Sequence, residues 1–308
     1  MTLPADKFPQ LSVGQRFRGA ILGAAVGNAL GVTTEMQPAR PQPEWVTTLT
    51  GGGWRQWPAG KWAEETDLLL LTAGSLLERK VFDPEDIASR MADWAHNRAV
   101  NVSPAVLQVL SLIQQGEPCM TAAADVMESS GTQDGNDGLP LCIPLALFFY
   151  KTPVYIGTLA PVLSSITLPS EPCKEAASIF TALLAYIASG LSTETAINQA
   201  LGSQEVESTV GAAIETTAMP EAPPPPKATA IATLRTAVWA LRWHGGFLDT
   251  VAAAANMGED AGCAATLAGA LAGALYGDVN IPSDMLETLS DRSHLIAVAD
   301  ALLALAFV

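Results

Sequence analysis

Apolar positions along this chain recur with the three-to-four-residue period of helices, and the two-residue alternation of strands is scarce. Residues 84–97 show the pattern clearly, with Ile87, Met91 and Trp94 on one face. Comparable segments are predicted at 103–115, 171–189, 193–201, 229–243, 247–255 and 297–307. Two further stretches are apolar on every side. Residues 16–31 read RFRGAILGAAVGNALG, and residues 256–277 read NMGEDAGCAATLAGALAGALYG. No charge falls between Asp260 and Asp278, so the second should be a helix buried all round. Gly269, Gly273 and Gly277 recur every fourth residue, as do Gly19, Gly23 and Gly27. Such spacing lets another backbone approach closely, so the two helices are expected to pack against each other or against shared neighbours. In lipid it would suggest a dimer face, but the run falls short of the roughly 20 apolar residues a span needs. A soluble core helix is the better reading.

Turn formers punctuate these helices. Pro38, Pro41 and Pro43 enforce a loop, residues 51–60 are turn-rich around Trp54 and Trp57, and residues 129–138 read SSGTQDGNDG. Pro220 and the run 223–226 form a stiff connector. Both sides of it share the same Ala-rich character, so residues 220–228 read as a loop inside one domain. The expected architecture is all-α: a single compact domain over residues 1–308 with a polar lead at 1–15 and a central buried Ala/Gly-rich helix. An apolar content of 49% is ample for its core.

Charge and cysteine content narrow the function classes. A net charge of −15 offers no field to attract phosphate, which disfavours nucleic-acid and anionic-membrane partners. Cys119, Cys142, Cys173 and Cys263 lie far apart with no C-x-x-C pair, which fits a reducing cytoplasm. The N-terminus lacks the basic-then-apolar order of a signal peptide.

The candidate chemistry is acidic. Glu35 follows the first buried helix, Glu64, Glu65 and Asp67 open another, and Glu259 and Asp260 stand at the mouth of the central one. Helix capping is a sufficient account of Glu64 and Glu65 taken alone. The loop at 129–138 would deliver backbone amides and small polar groups to a cleft, and a plain surface loop is equally good physics. His96, His244 and His294 fit no paired spacing. Cys263 reads as a packing residue, and Trp54, Trp57 and Trp62 as packing ahead of an adenine wall.

Taken in order, these motifs resemble the ADP-ribosylglycohydrolase family, which includes the J1-type crystallins. That family's first helix ends in G-D-A-L-G with a Glu soon after; here the text is Gly27-Asn28-Ala29-Leu30-Gly31, then Glu35. Its W-T-D-D-T motif is matched by Trp62-Ala63-Glu64-Glu65-Thr66. Its G-N-G loop looks like Gly135-Asn136-Asp137-Gly138, running on to Pro144. Its N-x-G-G-D-x-D-T and Gly-spaced helix look like Asn256 to Cys263 and the residues beyond. The resemblance implies two Mg²⁺ ions at the centre of an all-α domain, with ADP-ribose over them and its glycosidic bond hydrolysed. It would place Glu64, Glu65 and Asp260 as metal ligands, Glu259 as an extra carboxylate, and Glu35 as the catalytic residue. Asn28, Gly135, Asn136, Asp137 and Gly138 would contact substrate.

The departures fall on the ligands. Asp260 is retained, two Asp are replaced by Glu64 and Glu65, and Ala63, Gly262 and Cys263 stand where oxygen ligands are expected. Mg²⁺ tolerates displaced ligands poorly, which leaves at most one ion. The residues therefore predict a family member whose dinuclear site is largely lost: a pseudoenzyme with a binding or structural role, its partner ADP-ribose, a related nucleotide or a protein. The alternative is an active hydrolase with a remodelled Mg²⁺ site. The crowded carboxylates demand a bound cation, raised pKa values or open water.

Overall fold

The computed structural model of the chain describes residues 11–97, 101–202 and 208–306. Residues 1–10 of the predicted lead, and residue 307 of the last predicted helix, lie outside that range. Among the described residues there is no β-strand, only an isolated bridge between Gly52 and Trp57. The helices are α1 Val13–Thr34, α2 Glu64–Arg79, α3 Pro84–Asn97, α4 Pro104–Gln114, α5 Cys119–Ser130, α6 Cys142–Phe148, α7 Ile156–Ser165 and α8 Glu171–Ala188. They continue as α9 Thr193–Gly202, α10 Thr209–Glu215, α11 Ala230–Trp243, α12 Phe247–Ala255, α13 Ala261–Tyr276, α14 Ser283–Thr288 and α15 Arg292–Ala306.

The organising contact is the antiparallel seam of α1 against α13. Helix α1 starts at a capping box, with Ser12 and Gln15 bonding each other's backbone N–H. Helix α13 stops at Gly277, whose φ of +77° favours glycine. Between them, small residues meet backbone to backbone. A Cβ on Gly19 would stand 2.0 Å from the Gly273 carbonyl oxygen, on Gly23 2.2 Å from that of Gly269, and on Gly27 2.0 Å from that of Ala265. No side chain fits at those distances, so glycine at every fourth residue is what lets the axes close. Antiparallel pairing brings the C-terminal end of α1, with Glu35, to the N-terminal end of α13, with Asp260.

The remaining helices wrap this pair. The main core draws buried residues from Phe17 in α1 through Phe180 in α8 to Leu302 in α15. Five helices, α5, α6, α7, α10 and α14, form where the sequence pattern predicts none. Helix α7 carries Pro161, which reads as a break but here sits within the helix. The last helix starts at Arg292, earlier than predicted, because its polar first turn hides the period.

The proline run is tied to the core. The Pro226 carbonyl accepts the Asp260 N–H at 3.0 Å, and the Pro220 carbonyl accepts Trp239 Nε1 at 3.2 Å. All four cysteines are free and buried. No described helix is long and apolar enough to cross a membrane.

Candidate functional site

Three helix ends converge where the α1–α13 seam stops. Beyond α1 the chain turns at Met36, whose N–H bonds the Glu259 carbonyl at 2.8 Å, while the Glu259 N–H returns to the Gln37 carbonyl at 2.9 Å. That reciprocal pair locks Glu35 beside the start of α13. Asn256 fastens the same corner, accepting the Val46 N–H and donating to the Val46 carbonyl. Gly262 faces the junction: a Cβ there would stand 3.3 Å from Glu35 Oε1 and 3.5 Å from Glu65 Oε1. The missing side chain thus leaves the room into which two carboxylates point.

Asn28 sets the entry of α2. Ala63 at the N-cap has no side chain to offer, so Asn28 Oδ1, reaching across from α1, accepts the N–H groups of Ala63 (2.9 Å) and Thr66 (3.3 Å) and the Thr66 hydroxyl (2.8 Å). Its amide nitrogen donates to Glu65 Oε2 at 2.8 Å. An amide does both without adding negative charge beside Glu65.

The sequence reading missed Arg55. It sits in the turn-rich 51–60 stretch, with its guanidinium over the rings of Trp54 and Trp57, 4.8 and 4.6 Å from their centroids. Nη1 lies 2.9 Å from Glu64 Oε2 and 3.0 Å from Oε1, and Nε lies 3.4 Å from Glu35 Oε2. Trp54 Nε1 donates to the same Glu35 oxygen at 2.8 Å, and the Asn101 N–H to Glu64 Oε1 at 2.9 Å. Only 6% of the Arg55 side chain is exposed. Burial would lower its pKa, but the bond to Glu64 and the charges of Glu64, Glu35 and Glu65 outweigh that and raise it. The loop is pressed close by Gly53, where a Cβ would stand 2.3 Å from the Val32 carbonyl oxygen. The one signal in the sequence is an arginine framed by tryptophans in W-R-Q-W.

The loop carrying residues 135–138 closes the other side. Asn136 donates to Thr233 Oγ1 at 2.8 Å and to Asp260 Oδ2. Asp134, just before it, accepts the Ala230 N–H at 2.9 Å and fastens the loop to the start of α11. Gly138 packs on Ser164 and Thr167. Asp137 is half-buried near Ser103, and burial raises its pKa. Burial, helped by the charges of Glu35, Glu64 and Asp260, pushes Glu65 up to about 8. Asp260 is pushed up to about 7, chiefly by burial and against its bond from Asn136. The crowding of carboxylates is thus relieved by an internal guanidinium and by two groups that hold protons near neutrality. Burial and the surrounding carboxylates push the Cys263 thiol well up, so it is no nucleophile.

Other singled-out residues lie elsewhere. Glu259 is exposed, at a left-handed φ of 50°. Trp62 Nε1 bonds Asp67 at 3.2 Å. His244 packs between Trp45 and Trp239.

A divalent ion fits these residues badly. Ala63 and Gly262 have no side-chain oxygen, Cys263 is a buried thiol, and both oxygens of Glu64 face Arg55. Among the described residues no group of three or more His, Cys, Asp or Glu is placed to hold a metal.

Known proteins supply the context. The profile described as ADP-ribosylglycohydrolase matches residues 9–307. An ADP-ribosyl-[dinitrogen reductase] glycohydrolase from Rhodospirillum rubrum is 28% identical, over 96% of this chain and 98% of its own. An ADP-ribosylarginine hydrolase, Tri1, from Pseudomonas putida (strain GB-1) is 26% identical, over 93% of this chain and 77% of its own. A solved structure called an ADP-ribosylglycohydrolase-related protein complex superposes with a TM-score of 0.83 at 30% identity, over 96% of this chain and 99% of its own. With that span matched from end to end, the chain belongs to the ADP-ribosylglycohydrolase family.

Proposed function

We propose that this chain is a family member that has given up dinuclear Mg²⁺ hydrolysis and keeps the cleft for binding an ADP-ribosyl group or a related nucleotide. One observation carries the reading: Ala63, Gly262 and Cys263, matched to ligand positions, bring no hard oxygen to the junction of α1, α2 and α13. The binding surface in this reading is Asn136, Asp137 and the glycines flanking them, with Asn28 supporting Glu65 from behind. The reading treats residues 1–308 as one domain working in the cytoplasm.

The relatives' names favour a second reading, hydrolysis at a remodelled site where Glu64, Glu65 and Asp260 hold one ion and Glu35 assists. One experiment separates the two. Purified protein is incubated with ADP-ribosylated arginine peptide in Mg²⁺ or in EDTA, release of ADP-ribose is followed by chromatography, and ADP-ribose binding is measured by calorimetry. Binding without Mg²⁺-dependent release is the expected result. Release that needs Mg²⁺ would establish the second reading and end the first.

A further inference from the structure

We propose that the Arg55 guanidinium is a built-in substitute for a metal cation: it neutralises Glu35 and Glu64 and bars divalent ions from the carboxylate cluster. This rests on the reading that the paired ions are gone, and adds what took over their charge.

A guanidinium is charged at every pH the protein meets, and a buried charge persists only when paired and hydrogen-bonded. Arg55 meets that condition through two carboxylates on different elements, Glu35 after α1 and Glu64 in the first turn of α2. A metal ion would tie these elements together by coordination; the guanidinium ties them by charged hydrogen bonds. Its position is enforced from outside the cluster. The rings of Trp54 and Trp57 both lie against it, Trp54 bonds the same Glu35 oxygen, and the Gly52–Trp57 bridge closes the turn. Both oxygens of Glu64 and one of Glu35 are thereby committed. A dication entering beside them would meet fixed positive charge at close range and lose its best ligands.

Calorimetric titration of EDTA-treated full-length protein with Mn²⁺ tests this, comparing the natural chain with Arg55→Met. The natural chain should show no saturable site. Arg55→Met should gain one, at least about tenfold tighter than any residual binding of the natural chain. The gain should vanish in Arg55→Met with Glu64→Gln. Equal Mn²⁺ affinity with and without Arg55, or a gain that survives Glu64→Gln, would overturn the proposal. Should Arg55→Met not fold, the natural chain still decides, because Mn²⁺ quenches nearby fluorescence and Trp54 touches both Arg55 and Glu35. Absence of saturable quenching is the expected result, and saturable quenching that disappears in Trp54→Phe would overturn the proposal. Failure here is separable from failure of the proposed function. Mn²⁺ bound at the cluster with no ADP-ribose release sinks only the role of Arg55. Mg²⁺-dependent release with no ion at the cluster sinks only the loss of hydrolysis.

Discussion

The seam between α1 and α13 and the acidic junction at its end are built from the same two helices, yet they are stabilised in opposite ways. From Gly19 to Gly27 the seam carries no charge, backbones touch, and specificity comes from the absence of side chains at Gly19, Gly23, Gly27, Gly269 and Gly273; the guanidinium of Arg16 bonds α13 carbonyls only at its far end. At the junction the chains diverge, and carboxyl groups fill the space: Glu35 and Glu64 on one arginine, with Glu65 and Asp260 held by Asn28 and Asn136. The seam has one steric solution. The junction has several electrostatic ones, since a metal ion, a guanidinium or bound protons each offset crowded carboxylates. A family that must keep its fold can therefore change its site's chemistry by moving a cation, so long as the seam is left alone.

The sharpest way to break this contrast is at Gly27. Gly27→Val puts a branched side chain where a Cβ already stands 2.0 Å from the Ala265 oxygen. We expect a loss of about 3 kcal/mol or more, read as insoluble protein or a large fall in the unfolding midpoint. Gly14→Ala on the same helix is the control. Its Cβ would rest 3.4 Å from Leu303 Cδ2, so better helix propensity should leave it neutral or up to about 1 kcal/mol more stable. Equal damage from both would show that α1 is intolerant everywhere and that the seam is not special.

At the junction, Asn28→Ala removes the remote cap of α2 and the amide that steadies Glu65. A lost cap is worth about 1 kcal/mol and each buried donor left unpaired about 1 kcal/mol or more, so a total near 2–3 kcal/mol is expected in urea unfolding. Asn28→Asp restores the acceptor but opposes Glu65, so it should lose less at pH 5 than at pH 8. If Asn28→Asp matches the natural chain across that range, Asn28 acts only as a cap.

Taken per pH unit, proton uptake gives a smaller effect. Glu65 moves from an ordinary value of 4.5 to about 8 on folding, so the folded chain holds a proton there that the unfolded chain has released. That contribution is complete below pH 4.5 and fades as pH rises through 8, so stability should fall between those limits, by at most about 1.4 kcal/mol per pH unit for one proton. Glu65→Gln cannot ionise and should flatten the slope, as chemical unfolding at a series of pH values would show. An unchanged slope would assign it to other groups, Asp260 first.

The seam was legible in the sequence because a four-residue glycine period in a charge-free run has few meanings. The carboxylates were legible by motif order, since Glu64, Glu65 and Asp260 keep their places even where the residue type shifts. Arg55 was not. An arginine in a glycine-rich turn reads as solvated, and only tertiary closure of residues 51–60 onto α1 and α2 reveals its partners. For the same reason Asn28 read as a lost aspartate and not as the cap for a helix 35 residues further on. Helices α6, α10 and α14 were missed because each is two turns or less and draws its order from its neighbours.

The smallest predicted effect tests where the junction ends. Glu259 stands where the family's motif has glycine, and its backbone sits at a φ of 50°, costly for a residue with a Cβ. Its side chain is exposed and takes no part in the cluster around Arg55. Glu259→Gly should therefore relieve backbone strain and stabilise the fold by up to about 1 kcal/mol, net of the entropy glycine adds to the unfolded chain. Glu259→Ala removes the same carboxylate but keeps the strain, and should stay within about 0.5 kcal/mol of the natural chain. A gain in both variants would mean that the charge, and not the backbone, was the burden. The electrostatic junction would then reach one residue further than Asp260, to the surface.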